Sequence, residues 1–337
     1  MAETGSTTPA PVLVTGGTGF VGSHLVERLV AEGWRVRCLV RRTSSLQYLP
    51  AGQVELAYGE AARNLGLREA VEGVDLVFHV AGVTKAKHPS QYHLGNTQGT
   101  ANLLRALEDS GRPGARFVHV SSLAAIGPSP DGTPLTEDVP PRPLTHYGRS
   151  KLEAERLLER SPLRANSIIV RPPVVYGPRD TDVLKIFQTV RRGLLLRIGL
   201  QESYVSIVHV QDLVDGLLAA ARSPQGDARP YFIANPEPVT WDQFAGVAAE
   251  VMQRRLITIP VPPPVAWAVG LLAEAGSRFA RKPSIVSREK IREARCRYWT
   301  CDASRARLEL GFTAKKNLRQ GVAETLEWYK IVGWLTP

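Results

Sequence analysis

The chain has 337 residues, 43% of them hydrophobic and 22% charged, which is the composition of a soluble globular protein with room for one large or two modest domains. A net charge of +10 raises nucleic acid, an anionic membrane surface or an anionic ligand as partners, and the lack of any nucleic-acid module or interleaved aromatics excludes the first. Three cysteines, Cys38, Cys296 and Cys301, with no C-x-x-C, support neither a disulfide framework nor a zinc site. No metal is therefore expected, and a reducing cytoplasm fits the cysteine usage.

The opening "MAETGSTTPAP" lacks a basic n-region and an apolar core, so residues 1–10 are expected to be a disordered lead-in rather than a signal peptide. Apolar runs then alternate with helical patterns. Strands are predicted at 11–14, 36–40, 54–58, 74–80, 116–120 and 166–170. Between them, Val21, Leu25 and Leu29, and later Leu103, Leu104 and Leu107, recur at helical spacing. Short buried strands alternating with helices predict βαβ units, and hence an α/β fold with a doubly wound parallel sheet of the Rossmann type.

Directly after the first predicted strand comes "TGGTGFVG", residues 15–22. Gly16, Gly19 and Gly22 stand three apart, and Gly17, Gly19 and Gly22 also satisfy the dinucleotide pattern. One glycine permits a tight turn, one lets backbone approach a pyrophosphate, and one lets helix and strand pack closely. Gly16, Gly17, Thr18, Gly19, Phe20, Val21 and Gly22 are expected against the phosphates, whose charge the helix N-terminus favours. The second strand ends in Arg41 and Arg42, where a carboxylate would indicate NAD. A guanidinium there suits a 2′-phosphate, so the reading is NADP or NAD, leaning to NADP. Glu60, after the third strand, is placed to accept from the adenine amino group.

The fifth strand ends in Ser121 and Ser122, at the carboxyl edge where ligands bind in such folds. Tyr147 and Lys151 follow, four apart on a predicted helix. In isolation such a pair is a solvated surface pair. Here serine, tyrosine and lysine converge on the nicotinamide end. A phenolate takes the hydroxyl proton as hydride leaves a carbinol, and lowering a phenol from about 10 to about 7 takes ~4 kcal/mol. Lys151 and an oxidised nicotinamide ring are the sources of that stabilisation.

Beyond residue 175 the rhythm changes. Strand-like runs at 204–210 and 231–234 are expected to return, one or both, to the main sheet. Thr240 with Gln243 predicts a capping box for a helix over 241–253, and Asp302 a cap for a helix that Gly311 ends. The organisation expected is a Rossmann part over 11–175 with a returning segment near 204–235. A smaller, mostly helical substrate part then spans 176–203 and 236–337. The uncharged stretch 261–273, followed by eight basic residues between Arg278 and Arg297, reads as a buried helix beside a solvated one. The sharper expectation for 261–297 is peripheral contact with an anionic membrane.

Seven pieces in order resemble the extended short-chain dehydrogenase/reductases. They are "TGGTGFVG" 15–22, "FHVAG" 78–82, "NTQGTANLL" 96–104, "VSSLAAIG" 120–127, "YGRSK" 147–151, "RPPVVYGP" 171–178 and "HVQDLVDG" 209–216. The resemblance implies Ser122, five residues before Gly127, as the catalytic serine with Tyr147 and Lys151. It implies Asn96 as the support of the lysine through water, and Ala81, Gly82, Pro173 and Val174 beside the cofactor that Tyr147 and Lys151 also touch.

Members acting on nucleotide sugars commonly carry an Arg-Asp where this chain has Val205 and Ser206, which argues against that substrate class unless Arg179, Arg191 or Arg192 compensates. "VRCLVRRTSS" resembles the dihydroflavonol-reductase branch. The C-terminal half is similar to 3β-hydroxysteroid and 4-carboxysterol 3-dehydrogenases. A hydrophobic cyclic substrate, most of all the 3β-hydroxyl of a sterol, is therefore expected. Oxidation of a 4-carboxysterol would be followed by loss of CO₂ from the β-keto acid. A nucleotide-sugar epimerase or dehydratase, a dihydroflavonol-type reductase and a non-catalytic cofactor-binding protein are the alternatives. A homodimer is among the assemblies expected.

Overall fold

Runs of Val, Ile, Leu and Phe form strands that are covered on both faces in the middle of the sheet and half-buried at the β3 edge. In chain order these are β1 (Val12–Thr15), β2 (Val36–Val40), β3 (Val54–Tyr58), β4 (Leu76–His79), β5 (Arg116–Val120) and β6 (Ser167–Arg171). The second half adds β7 (Val174–Tyr176), β8 (Leu194–Ile198), β9 (Tyr204–Val205), β10 (Ile207–His209), β11 (Arg229–Phe232), β12 (Val239–Thr240), β13 (Ile257–Val261) and β14 (Tyr298–Trp299). The computed structural model describes residues 10–199, 201–262, 264, 265, 267, 268 and 288–335.

The main sheet runs β11-β6-β5-β4-β1-β2-β3, parallel throughout. Its order reverses between β1 and β4, and a ligand crevice opens at the carboxyl ends of strands at such a point. One face is sealed by the helices Phe20–Ala31 and Val210–Arg222, through Leu25, Leu29, Leu213 and Leu217. The other is sealed by Gly99–Ser110 and His146–Arg160, through Leu103, Leu107 and Leu158. Each such fully buried side chain contributes about 1.5–3 kcal/mol. A third cluster, around Tyr176, Phe187, Phe244, Leu326 and Tyr329, holds the second half together.

Differences from the sequence reading are local. The strands at 36–40, 54–58 and 116–120 stand as predicted, those at 11–14 and 166–170 move by one residue, and 74–80 shortens to Leu76–His79. The run 204–210 divides at Ser206 into β9, which pairs with β12 and β14, and β10, which pairs with β7. Neither joins the main sheet. The run at 231–234 does return, as β11 on the edge beside β6. The helix predicted at 241–253 is Trp241–Val251 with the Thr240–Gln243 capping box formed. Asp302 accepts from the Ser304 amide at 2.8 Å, one position ahead of the N-cap, and the helix Ser304–Leu310 ends at Gly311 with φ 66°. Most of the apolar stretch 261–273 and the basic run up to residue 287 lie outside the described residues. Of the remainder, Arg288, Lys290, Arg292 and Arg295 lie on the helix Arg288–Arg295, and Arg297 follows it. Among the described residues, no helix is long and apolar enough to cross a membrane, and no His/Cys/Asp/Glu group could hold a metal.

Candidate active site

The glycine loop is built for close approach. Gly16 has φ 73°, and a Cβ on it would stand 2.7 Å from the Ala81 amide nitrogen. A Cβ on Gly22 would stand 2.1 Å from the Gly16 carbonyl oxygen, which locks the helix onto β1. The helix Phe20–Ala31 starts at Gly19 with no side-chain cap and no acidic residue in its first turn. Its leading amides are left for an anion. These residues fit the pyrophosphate of a dinucleotide.

Across the crevice, a buried relay joins β1 to the Asn96 turn. The Ala81 amide donates to Thr15 Oγ1 at 3.2 Å. Thr15 Oγ1 contacts His79 Nδ1 at 2.7 Å, and His79 Nε2 contacts Thr100 Oγ1 at 2.9 Å. Because Thr100 gives its proton to the Asn96 carbonyl, at 2.6 Å, Nε2 of His79 is the donor and Nδ1 the acceptor. The ring is neutral. Burial, and then the Lys151 charge, lower its pKa to about 3.

Asn96 lies in a π-helical turn, His93–Gln98, of the kind often found at functional sites. Its Oδ1 accepts from the Val83 amide at 2.6 Å, and its Nδ2 donates to the Val83 carbonyl at 3.0 Å and to Ser150 Oγ at 2.9 Å. Ser150 Oγ in turn donates to the Tyr147 carbonyl at 2.8 Å. Asn96 is thus a direct clamp between the strand β4 exit and the Tyr147 helix.

Tyr147 is the second residue of the helix His146–Arg160, whose N-cap Thr145 accepts from the Gly148 amide at 3.1 Å. Its ring centroid lies 6.1 Å from that of Tyr92. Ser122 is extended, and its Oγ accepts from the Ala124 amide at 3.1 Å, leaving its proton to donate. Lys151, 4% exposed, donates from Nζ to the Val120 carbonyl at 2.7 Å. Burial pulls its pKa down to about 8, against the raising effect of Glu155. A Cβ on the exposed Gly82 would lie 3.3 Å from both Lys151 Nζ and Asn96 Oδ1. Gly82, Asn96 and Lys151 therefore share one corner of the crevice. The Leu123 amide donates to the Pro172 carbonyl at 2.9 Å, which brings the half-buried Pro173 and Val174 beside the Ser122 turn. The Ser121 hydroxyl is buried, with no hydrogen-bond partner among the described residues.

At the adenosine end, Arg41 is exposed just past β2, and the Arg42 guanidinium lies 5.1 Å from the Tyr58 ring centroid. Glu60 heads the turn Ala61–Arg63, with its carboxylate 3.6 Å from Arg63.

Two ionic devices, the first at a half-exposed sheet edge and the second buried, were not visible in the sequence. Arg37, inside β2, pairs with Glu55 at 2.7 Å and donates to the Glu69, Ala70 and Glu72 carbonyls that end a short helix. Glu155, one turn beyond Lys151, receives two hydrogen bonds from Arg171 at 3.0 and 2.7 Å, with both side chains buried. The positions that carry Arg-Asp in nucleotide-sugar enzymes are sealed. Val205 and Ser206 are buried, and Ser206 Oγ accepts from the Cys301 amide at 3.0 Å. Arg179 is no replacement cation, because its guanidinium is committed to Ser23 at 3.0 Å, Glu27 at 2.5 Å and the Tyr48 ring.

A crevice at the switch point, a capless helix over a glycine turn and a buried lysine one turn after a tyrosine define a dinucleotide-dependent enzyme class. The comparisons agree. The NAD dependent epimerase/dehydratase family model matches residues 12–234, and the chain belongs to that family, as an NAD(P)-dependent oxidoreductase of the extended short-chain dehydrogenase/reductase type. It is 34% identical over 325 residues to the ceramide reductase of Caulobacter vibrioides, covering 96% of each chain. To the decarboxylating sterol-4-alpha-carboxylate 3-dehydrogenase of Dictyostelium discoideum it is 27% identical, covering 93% of this chain and 99% of that one. It superposes on the solved structure of MoeE5 in complex with UDP-glucuronic acid and NAD with a TM-score of 0.75 and 28% identity, covering 96% of this chain and 99% of that one.

Proposed function

We propose that the protein transfers hydride between a nicotinamide dinucleotide and the ketone or secondary alcohol of a water-insoluble lipid. The observation that carries this reading is the buried Lys151 ammonium one helical turn after Tyr147, on a helix seated against the Ser122 turn. A nicotinamide held by the glycine loop and Lys151 would supply the hydride in the reducing direction. Ser122 donates to the carbonyl oxygen, Tyr147 gives it a proton, and Lys151 holds the resulting phenolate. Asn96 keeps the tyrosine–lysine helix in register with Gly82. The cofactor-binding part comprises 11–175 with the returning strand, and the substrate part the remainder.

The lipid class rests on two supports. Val205 and Ser206 occupy the places of the arginine and aspartate that nucleotide-sugar enzymes commonly carry, and Arg179 is engaged with Glu27. The ceramide reductase likeness, at 34% over 96% of the chain, then makes a sphingolipid-type ketone the first substrate class. The sterol 3β-hydroxyl is the second, favoured by the sterol dehydrogenase likeness. Arg41 and Arg42 favour NADP.

The test is consumption of NADPH and NADH with a ceramide ketone, a 3-ketosterol and UDP-glucose. NADPH consumption with a lipid ketone is expected. Conversion of the UDP-sugar with no net change in cofactor would overturn the reading in favour of an epimerase.

A further inference from the structure

β8 and β13 form a separate parallel ribbon, with Leu194 opposite Ile257 and Leu196 opposite Ile259. Partners in register share a face, and alternate residues turn the other way. Inward, Leu195 packs into the third core cluster and Arg197 reaches Asp242. Among the described residues the outward face stays exposed. Leu196 is 58% exposed, Ile257 64% and Ile259 41%, and beyond β13 come Val265 at 52% and Trp267 at 48%.

Basic residues gather where the ribbon begins. The Ile257 amide donates to the Gly193 carbonyl at 2.8 Å, and a Cβ on Gly193 would lie 3.0 Å from the Arg255 carbonyl oxygen. The Arg192 and Arg255 backbones therefore enter the ribbon side by side. Arg192, Arg254 and Arg255 are exposed, with no ion-pair partner among the described residues, and neither strand carries a carboxylate.

We propose that this ribbon docks the protein on an anionic lipid bilayer. Leu196, Ile257 and Ile259 enter the headgroup boundary, and the three arginines meet lipid phosphates. Apolar side chains beside unpaired cations are the pattern of interfacial binding. A second copy is a poor occupant. Around a two-fold axis the patch meets itself, which gathers six arginines with no carboxylate on the ribbon to receive them. A bilayer supplies the missing anions. The inference deepens the lipid-substrate reading, since a water-insoluble substrate is reached from a surface, but it is tested separately.

The experiment is co-sedimentation of the full chain with vesicles of phosphatidylcholine containing phosphatidylglycerol, and with phosphatidylcholine alone. The wild type is expected to pellet with the anionic vesicles and to be released by high salt. R192E/R254E/R255E is expected to bind on the order of 100-fold more weakly. I257E/I259E is expected to bind at least about tenfold more weakly, with an unchanged Tm because these side chains are already exposed. Both variants should reduce a short soluble ketone at the wild-type rate.

A wild type left in the supernatant with anionic vesicles overturns the proposal, as do variants that bind undiminished. A wild-type dimer that I257E/I259E makes monomeric, or a Tm that falls in that variant, also overturns it, by showing that protein covers the ribbon. Vesicle binding without turnover of any lipid ketone would strike the substrate reading alone. Turnover without vesicle binding would strike the docking face alone.

Discussion

Gly148 stands so close to Ala124 that a Cβ on it would lie 2.2 Å from the Ala124 carbonyl oxygen. Gly148 follows Tyr147, and Ala124 is the residue whose amide Ser122 caps. This contact seats the start of the Tyr147 helix against the Ser122 turn.

Gly148→Ala forces the helix off the Ser122 turn. Since ~1 Å of misplacement costs about 100-fold in rate, kcat/KM should fall by roughly that factor. The fall in kcat/KM should exceed the change in cofactor affinity, because the glycine loop still holds the phosphates. Steady-state kinetics beside a cofactor titration check it.

Gly82→Ala acts on the other side of the crevice. Its added Cβ meets Lys151 Nζ and Asn96 Oδ1 at 3.3 Å, tight contacts in an otherwise exposed place. The fold should survive with Tm within a few degrees, while the cofactor Kd rises about tenfold. Calorimetric titration reads the change.

Lys151 is held near 8 by burial against the opposing charge of Glu155. Glu155→Gln removes that charge, so the lysine pKa moves lower still. A reaction that needs the ammonium then loses rate at lower pH than the wild type does, and the alkaline limb of the kcat/KM profile shifts downward. The same change strands the buried Arg171, costing about 3–5 kcal/mol, so urea unfolding is measured alongside. A loss of stability with an unmoved pH limb would assign Glu155 to structure alone.

His119 is fully buried, neither ring nitrogen has a hydrogen-bond partner among the described residues, and burial holds its pKa well below the usual histidine value. His79 is lowered to about 3. Both rings titrate near the ordinary 6.5 when unfolded, so below that pH the unfolded chain binds more protons and stability falls with falling pH. His119→Phe removes one proton from that slope, at up to 1.36 kcal/mol per pH unit. It also relieves an unpaired polar burial of about 1–3 kcal/mol. Tm should rise at pH 7, and by more at pH 5, in calorimetric scans.

What the sequence made legible was what local pattern encodes. The glycine loop, the parallel strands and the tyrosine–lysine pair all declare themselves within a few residues, because turn, strand and helix spacings are short-range constraints. The missed features are long-range pairings. Nothing near Arg37 announces that it closes the helix ending at Val71, and nothing near Arg171 announces Glu155, sixteen residues away on another element. The split of 204–210 at Ser206 depends on Cys301 and Trp299, nearly a hundred residues later. The His79 relay is likewise assembled from three elements, so no single motif contains it.

The most direct measurement is the rate of Tyr147→Phe with a lipid ketone and NADPH, beside its NADPH affinity. Loss of the proton donor should lower kcat by 100-fold or more with the cofactor Kd within about twofold of wild type. A Phe variant that reduces the ketone at the wild-type rate would contradict the assignment of Tyr147 as the group that moves the proton.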